Sequence, residues 1–359
     1  MSRSPLHAAT IVDVALRAGV SKSTAARALA GYGSVSGKAR QRVEDAAREL
    51  DYQPNSLARS MITGQTNTVG VVIPDISSHF FANALRGIST AAREAGYELL
   101  LSSTDGDLGL ERRAVDLLAA KRVDAIIVAP VSTEDTAHLE KLAEQGIAVA
   151  LLDRPAPEVK RASYVSVDHV GASSMAVNHL LDLGHRQIGI VTEAVMPPGW
   201  QEAVDSGDAL SLRPSAARLV GYRNALRGAG IRFRDEYVAH SAYSKSSARA
   251  ATERLLRQYP EITAIYCTDS ELSAGSFAAL QDLEISCPDS ISLIGFDDQD
   301  WATLVRPRLT VVEQPNYQLG RASAEEAIGA ITDPGGARRN RTLSGRLIVR
   351  DSTGRPRAR

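Results

Sequence analysis

The chain has 359 residues, 44% of them hydrophobic and 23% charged, with a formal net charge of −1. That length is too great for one compact core and allows two or three domains of ordinary globular composition. No apolar run approaches the ~20 residues that span a membrane, and Met1 to Ser21 lack the apolar stretch of a secretory signal, so a cytoplasmic protein with no membrane partner is expected.

Charge is unevenly placed. Residues 1–60 carry nine Lys/Arg against five Asp/Glu, a net of +4, and the remainder is net −5. A basic head on an acidic body fits a head that binds a polyanion. The two cysteines, Cys267 and Cys287, form neither a CxxC nor a His/Cys cluster. They read as reduced core thiols, and neither a metal site nor a cofactor is expected.

The first element is a helix with Val12, Val14, Ala15 and Ala18 at helical spacing. Gly19 permits a tight turn, and Ser21 is placed to cap a second helix that continues through Thr24, Ala25, Ala28 and Leu29. A third helix, 38–50, puts Val43, Ala46, Ala47 and Leu50 on one face. This is the pattern of a helix-turn-helix, whose second helix enters a DNA major groove. Lys22, Ser23 and Arg27 sit at the start of that helix, where Lys and Arg donate to guanine O6 and N7. The alternative is a solvated basic face; turn, cap and terminal position together favour DNA.

Pro54 stops the third helix and Asn55 is placed to cap about two further turns before Gly64. Such a segment is too short to be stable alone. Met61 within it is an apolar wedge for the minor groove, and the alternative is a plain linker.

From Thr68, short apolar strands alternate with amphipathic helices. Strands are expected at 69–73, 98–101, 125–128 and 148–152, with helices at 81–95, 110–121 and 135–145. A second set has strands at 164–167, 188–191, 237–240, 264–267 and 292–295, and helices at 170–183, 216–228, 246–258 and 272–283. Residues 345–350 read as a last strand. The alternation predicts two doubly wound parallel-sheet lobes that bind ligand at the carboxyl ends of their strands. Asp75, Phe80, Phe81, Asp153, Arg154, Thr268, Asp269, Asp297 and Asp298 all follow strands. Carboxylates there accept hydrogen bonds from sugar hydroxyls and aromatics stack on ring faces; helix caps and solvated acids are the alternative for each.

No P-loop, GxSxG elbow or HExxH is present, and no GxGxxG follows the first strand. The seven histidines are scattered, and His185 reads as a packing residue. An enzyme is not expected.

The run DVALRAGVS…R.L.G…VS…R..V..A…LDYQPN.LARS resembles the lac repressor (LacI/GalR) family of bacterial regulators, and the resemblance covers nearly the whole chain. It implies a three-helix head (1–54), a hinge helix (55–66) and a periplasmic-binding-protein-like body (67–359). The first lobe would be about 67–165 and 315–343, the second about 166–314 and 344–350. It implies a homodimeric repressor that reads a palindromic double-stranded operator and binds a small effector, a sugar or sugar derivative, between its lobes. Lys22, Ser23, Arg27, Asn55, Ala58 and Met61 fall at DNA-contact positions. Phe80, Phe81, Asp153, Arg218, Thr268 and Asp297 fall at effector positions, with Gln314 close by. A solute-binding receptor without DNA function is the alternative. The chain departs from the family pattern at Ala25-Ala26, at Ser78-His79, at Thr268, and in a long 193–215 segment containing Trp200.

Overall fold

The structure is a computed structural model that describes residues 9–30, 33–52, 65–194, 196, 212–333 and 335–357. The chain forms two compact units, Met1–Asn67 and Thr68–Arg359.

In the first unit, α1 (Ile11–Ala18) opens with a reciprocal cap in which the Thr10 hydroxyl accepts the Asp13 N–H and the Asp13 carboxylate accepts the Thr10 N–H. It ends at Gly19, left-handed at φ 64°, where a Cβ would be strained. The Ser21 hydroxyl accepts the Thr24 N–H at 3.1 Å and starts α2 (Lys22–Ala30); the Ser36 hydroxyl does the same for α3 (Gly37–Glu49). Val14, Ala15, Ala18, Ala25, Ala28, Val43, Ala46 and Ala47 form the core. Val12, expected on that face, is 45% exposed. It lies two residues from Val14, about 200° around the helix, and Ile11 packs there instead.

The body runs β1 (Thr68–Ile73), α4 (His79–Glu94), β2 (Glu98–Ser103), α5 (Leu108–Ala120), β3 (Ala125–Val128), α6 (Ala137–Glu144), β4 (Ala148–Leu152) and β5 (Ser163–Val167). It continues with α7 (His169–Asp182), β6 (Ile188–Thr192), α8 (Pro214–Gly228), β7 (Val238–His240), α9 (Lys245–Gln258), β8 (Ala264–Cys267), α10 (Ser270–Asp282), β9 (Ser292–Phe296), α11 (Trp301–Leu304) and β10 (Thr310–Glu313). The chain returns through α12 (Asn316–Thr332) to β11 (Asn340–Leu343) and ends with β12 (Arg346–Ile348).

Two six-stranded sheets result, ordered β11-β5-β4-β3-β1-β2 and β12-β10-β9-β8-β6-β7. The second repeats the first, β6 to β10 standing where β1 to β5 stand. All pairings are parallel except β10 with β12. The central strands are covered on both faces, so β1, β3 and β4 read as apolar runs: Val71 and Ile73 face α4 and α12, while Val72 faces the α5–α6 side.

Three corrections to the sequence reading concern connectivity. The strand expected at 164–167 as the first of the second set belongs to the first sheet, between β4 and β11; the chain crosses only after it, at Asp168. Strands β10 and β11 and helix α12 were not anticipated. The tail beyond 350 belongs to the second lobe's packing: Ser352 is fully buried, and the Leu293 N–H bonds to its carbonyl at 2.8 Å.

Candidate ligand cavity and nucleic-acid interface

The carboxyl ends of the strands of both sheets enclose a cavity of about 540 Å³. From the first lobe it is lined by Asp75 after β1, Asp105 after β2, Val131 after β3, and Asp153 with Arg154 after β4; Phe80 and Phe81 come from α4. From the second lobe come Glu193 after β6, Tyr243 after β7, Asp269 after β8, Asp297 after β9 and Gln314 after β10, with Arg213 and Arg218 at and within the start of α8. Strand-end loops carry ligands in such sheets because their side chains diverge from a rigid platform. The two phenyl rings meet edge to face, centroids 5.0 Å apart.

A buried polar chain spans the cavity floor. The Arg218 guanidinium stacks 3.9 Å from the Phe296 ring centroid, donates through Nη1 to the Thr268 carbonyl at 2.6 Å, and donates through Nη2 to Gln314 Oε1 at 3.2 Å. Gln314 Nε2 donates to Asp297 at 2.7 Å. Arg218 Nε reaches His169 Nδ1 at 3.4 Å, and His169 Nε2 contacts Asp153 at 3.0 Å. These contacts fix the neutral His169 tautomer, with Nε2–H donating to Asp153 and Nδ1 accepting from Arg218. Burial lowers the His169 pKa, in keeping with a neutral ring.

The three floor carboxylates differ electrically. Burial works against the Asp153 charge, but the contact with His169 and the charges of Arg218 and Arg154 hold its carboxyl below the ordinary range. Burial, and then the neighbouring Asp297 carboxylate, push Asp269 up to about 7, although Arg218 lies 4.0 Å away. Asp297 is also raised by burial, against the opposing effects of Arg218 and Gln314. Adjacent acids whose charge is disfavoured are suited to share hydrogen bonds with hydroxyl groups.

Of the seven expected effector residues, six line this cavity: Phe80, Phe81, Asp153, Arg218, Asp297 and Gln314. Thr268 does not; its hydroxyl turns inward to Thr192 Oγ1 at 3.0 Å, and only its carbonyl serves the floor. Arg218, expected at an effector position, lines the cavity with its guanidinium engaged inside the protein by the Thr268 carbonyl and Gln314. The sequence reading overlooked His169 and Arg213. The Asp-His pair directly after β5 was the available signal for His169; Arg213 precedes an unremarkable Pro at a helix start.

In the head, Lys22 and Ser23 are exposed at the start of α2 and Arg27 is half-buried one turn on, its Nε donating to the Ser23 carbonyl at 3.3 Å. Asn55, Ala58 and Met61 lie outside the described residues, as does Trp200. His185 is buried, bonding Thr263 Oγ1 at 2.8 Å and the Gly354 carbonyl at 2.9 Å, so it ties α7 to the tail. Burial pushes the Cys267 and Cys287 thiols up to about 12. Among the described residues there is no His/Cys/Asp/Glu group suited to a metal ion, and no helix is long and apolar enough to cross a membrane.

Comparison with known proteins accords with both parts. Residues 10–55 match the family described as bacterial regulatory proteins, lacI family, and residues 66–349 match periplasmic binding proteins and sugar binding domain of LacI family. Catabolite control protein A of Priestia megaterium is 32% identical over 311 residues, 87% of this chain and 89% of that protein. The HTH-type transcriptional repressor CytR of Escherichia coli (strain K12) is 30% identical over 346 residues, 96% of each. Among solved structures, a transcriptional regulator CelR–cellobiose complex aligns with a TM-score of 0.70 at 26% identity, over 96% of this chain and 99% of that one. The lac repressor dimer bound to operator and an anti-inducer shares the fold, with a TM-score of 0.80 at 23% identity over 97% and 100%. The chain therefore belongs to the LacI family of bacterial regulatory proteins, as a DNA-binding transcriptional repressor under allosteric control through a body of the sugar-binding type.

Proposed function

We propose that this chain is a cytoplasmic, non-enzymatic repressor that binds a palindromic operator as a homodimer and is switched by a small hydroxylated molecule, a sugar or sugar derivative. The observation that carries the ligand reading is a cavity bounded by carboxylates from both lobes, Asp153 from one and Asp269 and Asp297 from the other. A ligand bridging them biases the angle between the lobes. In this reading Phe80 and Phe81 cover a ring face and Asp153 and Asp297 accept from hydroxyls. Arg218, Gln314 and the Thr268 carbonyl hold those acids in place.

The head (1–54) reads base edges through Lys22, Ser23 and Arg27, and the hinge (55–66) reaches the minor groove with Asn55, Ala58 and Met61. One three-helix head spans too few base pairs for a unique site, and two match a palindrome. Ligand and operator are then linked by a reciprocal coupling of about 1–3 kcal/mol. The test is selection of bound sequences from random duplex DNA by the purified protein, followed by titration of sugars against the selected site. A palindrome whose affinity changes with a sugar supports the reading. Weak, salt-insensitive binding without enrichment means a solute-binding protein instead.

A further inference from the structure

Arg154 and Arg213 meet at the cavity wall from opposite lobes. Arg154 Nη1 donates to the Pro130 carbonyl at 3.3 Å, and Arg213 Nη1 donates to the next carbonyl, Val131, at 3.2 Å. Both line the cavity, and among the described residues neither lies within 4.0 Å of a carboxylate. Two guanidiniums brought together with no ion-pair partner among the described residues repel each other.

Two of the nearby acids are committed elsewhere. Asp153 is taken by His169. Glu111, fully buried, accepts from His138 Nε2 at 2.8 Å and from the Val131 N–H at 2.7 Å. Glu193 lines the cavity and its charge reaches Arg154, but it forms no ion pair among the described residues. Burial first, and Arg213 second, depress the Arg154 pKa, against the opposing charges of Asp153, Glu193 and Glu111. Arg213 is also the residue before α8, whose first turn has no side-chain cap and whose Pro214 and Ser215 line the same cavity; the end of a helix dipole there favours negative charge.

We infer that the ligand of this cavity carries an oxyanion, a carboxylate or a phosphate, held between Arg154 of one lobe and Arg213 of the other. The inference rests on the cavity being the effector site. It narrows the class from sugars at large to acidic or phosphorylated ones, with hydroxyls toward Asp269 and Asp297 and the anion at the arginines. It also assigns the anion a role in closure: without it two like charges oppose approach of the lobes, and with it they share one partner.

The test uses the full-length protein without DNA. Inorganic phosphate is titrated at constant ionic strength, with thermal unfolding and calorimetry as readouts. A saturable stabilisation is expected, weakened at least about tenfold in R213Q and in R154Q and strengthened in E193Q, which removes the competing carboxylate. Arg213 is exposed, so R213Q is expected to fold even if R154Q does not. A shift no larger than that from equimolar chloride, or one unchanged in R213Q, overturns the inference. Glucuronate and glucose 6-phosphate, run beside glucose, separate carboxylate from phosphate as the natural source. If glucose alters operator affinity equally in wild type and R213Q, the effector reading stands and the oxyanion falls. If phosphate binds as expected but no cavity ligand alters operator affinity, the effector reading falls instead.

Discussion

Asp153 and Asp297 are counterparts in the two lobes. Each directly follows the fourth strand of its sheet, each has a left-handed backbone (φ 63° and 64°), and each donates its N–H to the fifth strand, to the Val165 and Val312 carbonyls, at 2.8 Å. Identical backbones meet opposite electrostatics. His169 and two arginines favour the Asp153 charge, while burial disfavours that of Asp297.

Asparagine tolerates the left-handed region and keeps the shape of the side chain, so it isolates charge from conformation. D153N is expected to cost about 1–3 kcal/mol by urea unfolding, since it removes a charged acceptor from a buried donor. D297N is expected to leave stability unchanged or raise it, while abolishing the operator response to ligand. Equal losses in both variants mean that the conformational constraint, not charge, governs the pair.

In the head, Arg27 uses Nε on the Ser23 carbonyl of its own helix, and its Nη groups make no hydrogen bond among the described residues. That tether leaves both Nη groups available to a base edge. R27A is expected to cost about 1–3 kcal/mol on the selected operator and to relax base preference at one position per half-site. An equal loss on random DNA would assign Arg27 to phosphate alone.

Much of this was legible in the sequence for local reasons. Gly19 and Ser21 mark the turn and cap of the head within a few residues, and the carboxylates of the cavity follow apolar strands directly. Non-local facts were less accessible. Nothing in residues 164–167 says which sheet they join, because a strand buried on both faces looks the same in either lobe. Helix α12 buries Gly320, Ala322, Ser323, Ala324, Ala327 and Ala330 around Leu319, too few large residues to give an amphipathic stripe. The approach of Arg154 to Arg213, with no ion pair to either among the described residues, exists only once the lobes face each other.

The small residues of α12 carry a prediction of their own. A Cβ at Gly320 would lie 1.8 Å from the Ala84 carbonyl oxygen, and one at Gly87 would lie 2.0 Å from that of Tyr317, so α4 and α12 cross backbone to backbone. In an exposed helix Gly→Ala would gain about 1 kcal/mol. Here G320A is expected to destabilise by about 1–3 kcal/mol or more, because the obstructing atoms are main chain. Helix α4 also carries Phe80 and Phe81, so ligand affinity should fall with stability. Stabilisation in urea unfolding would mean that the helices part easily.

The raised Asp269 carboxyl sets a pH dependence of defined sign. Its folded-state pKa, about 7, lies above the ordinary value of 3.8 because of burial and then the Asp297 charge. The folded protein thus binds this proton more tightly than the unfolded chain. Its contribution to stability is full below about pH 4, declines as pH rises, and is lost once pH passes about 7. Asp153, with a lowered pKa, contributes the opposite slope at lower pH, so the total curve mixes both signs. The difference between wild type and D269N isolates the term: D269N should gain stability relative to wild type steadily from about pH 4 to pH 7 and then hold a constant advantage. Unfolding free energies at half-unit pH intervals measure it. A difference that is flat across this range would mean that Asp269 ionises normally, and that Arg218, 4.0 Å away, fully compensates its charge.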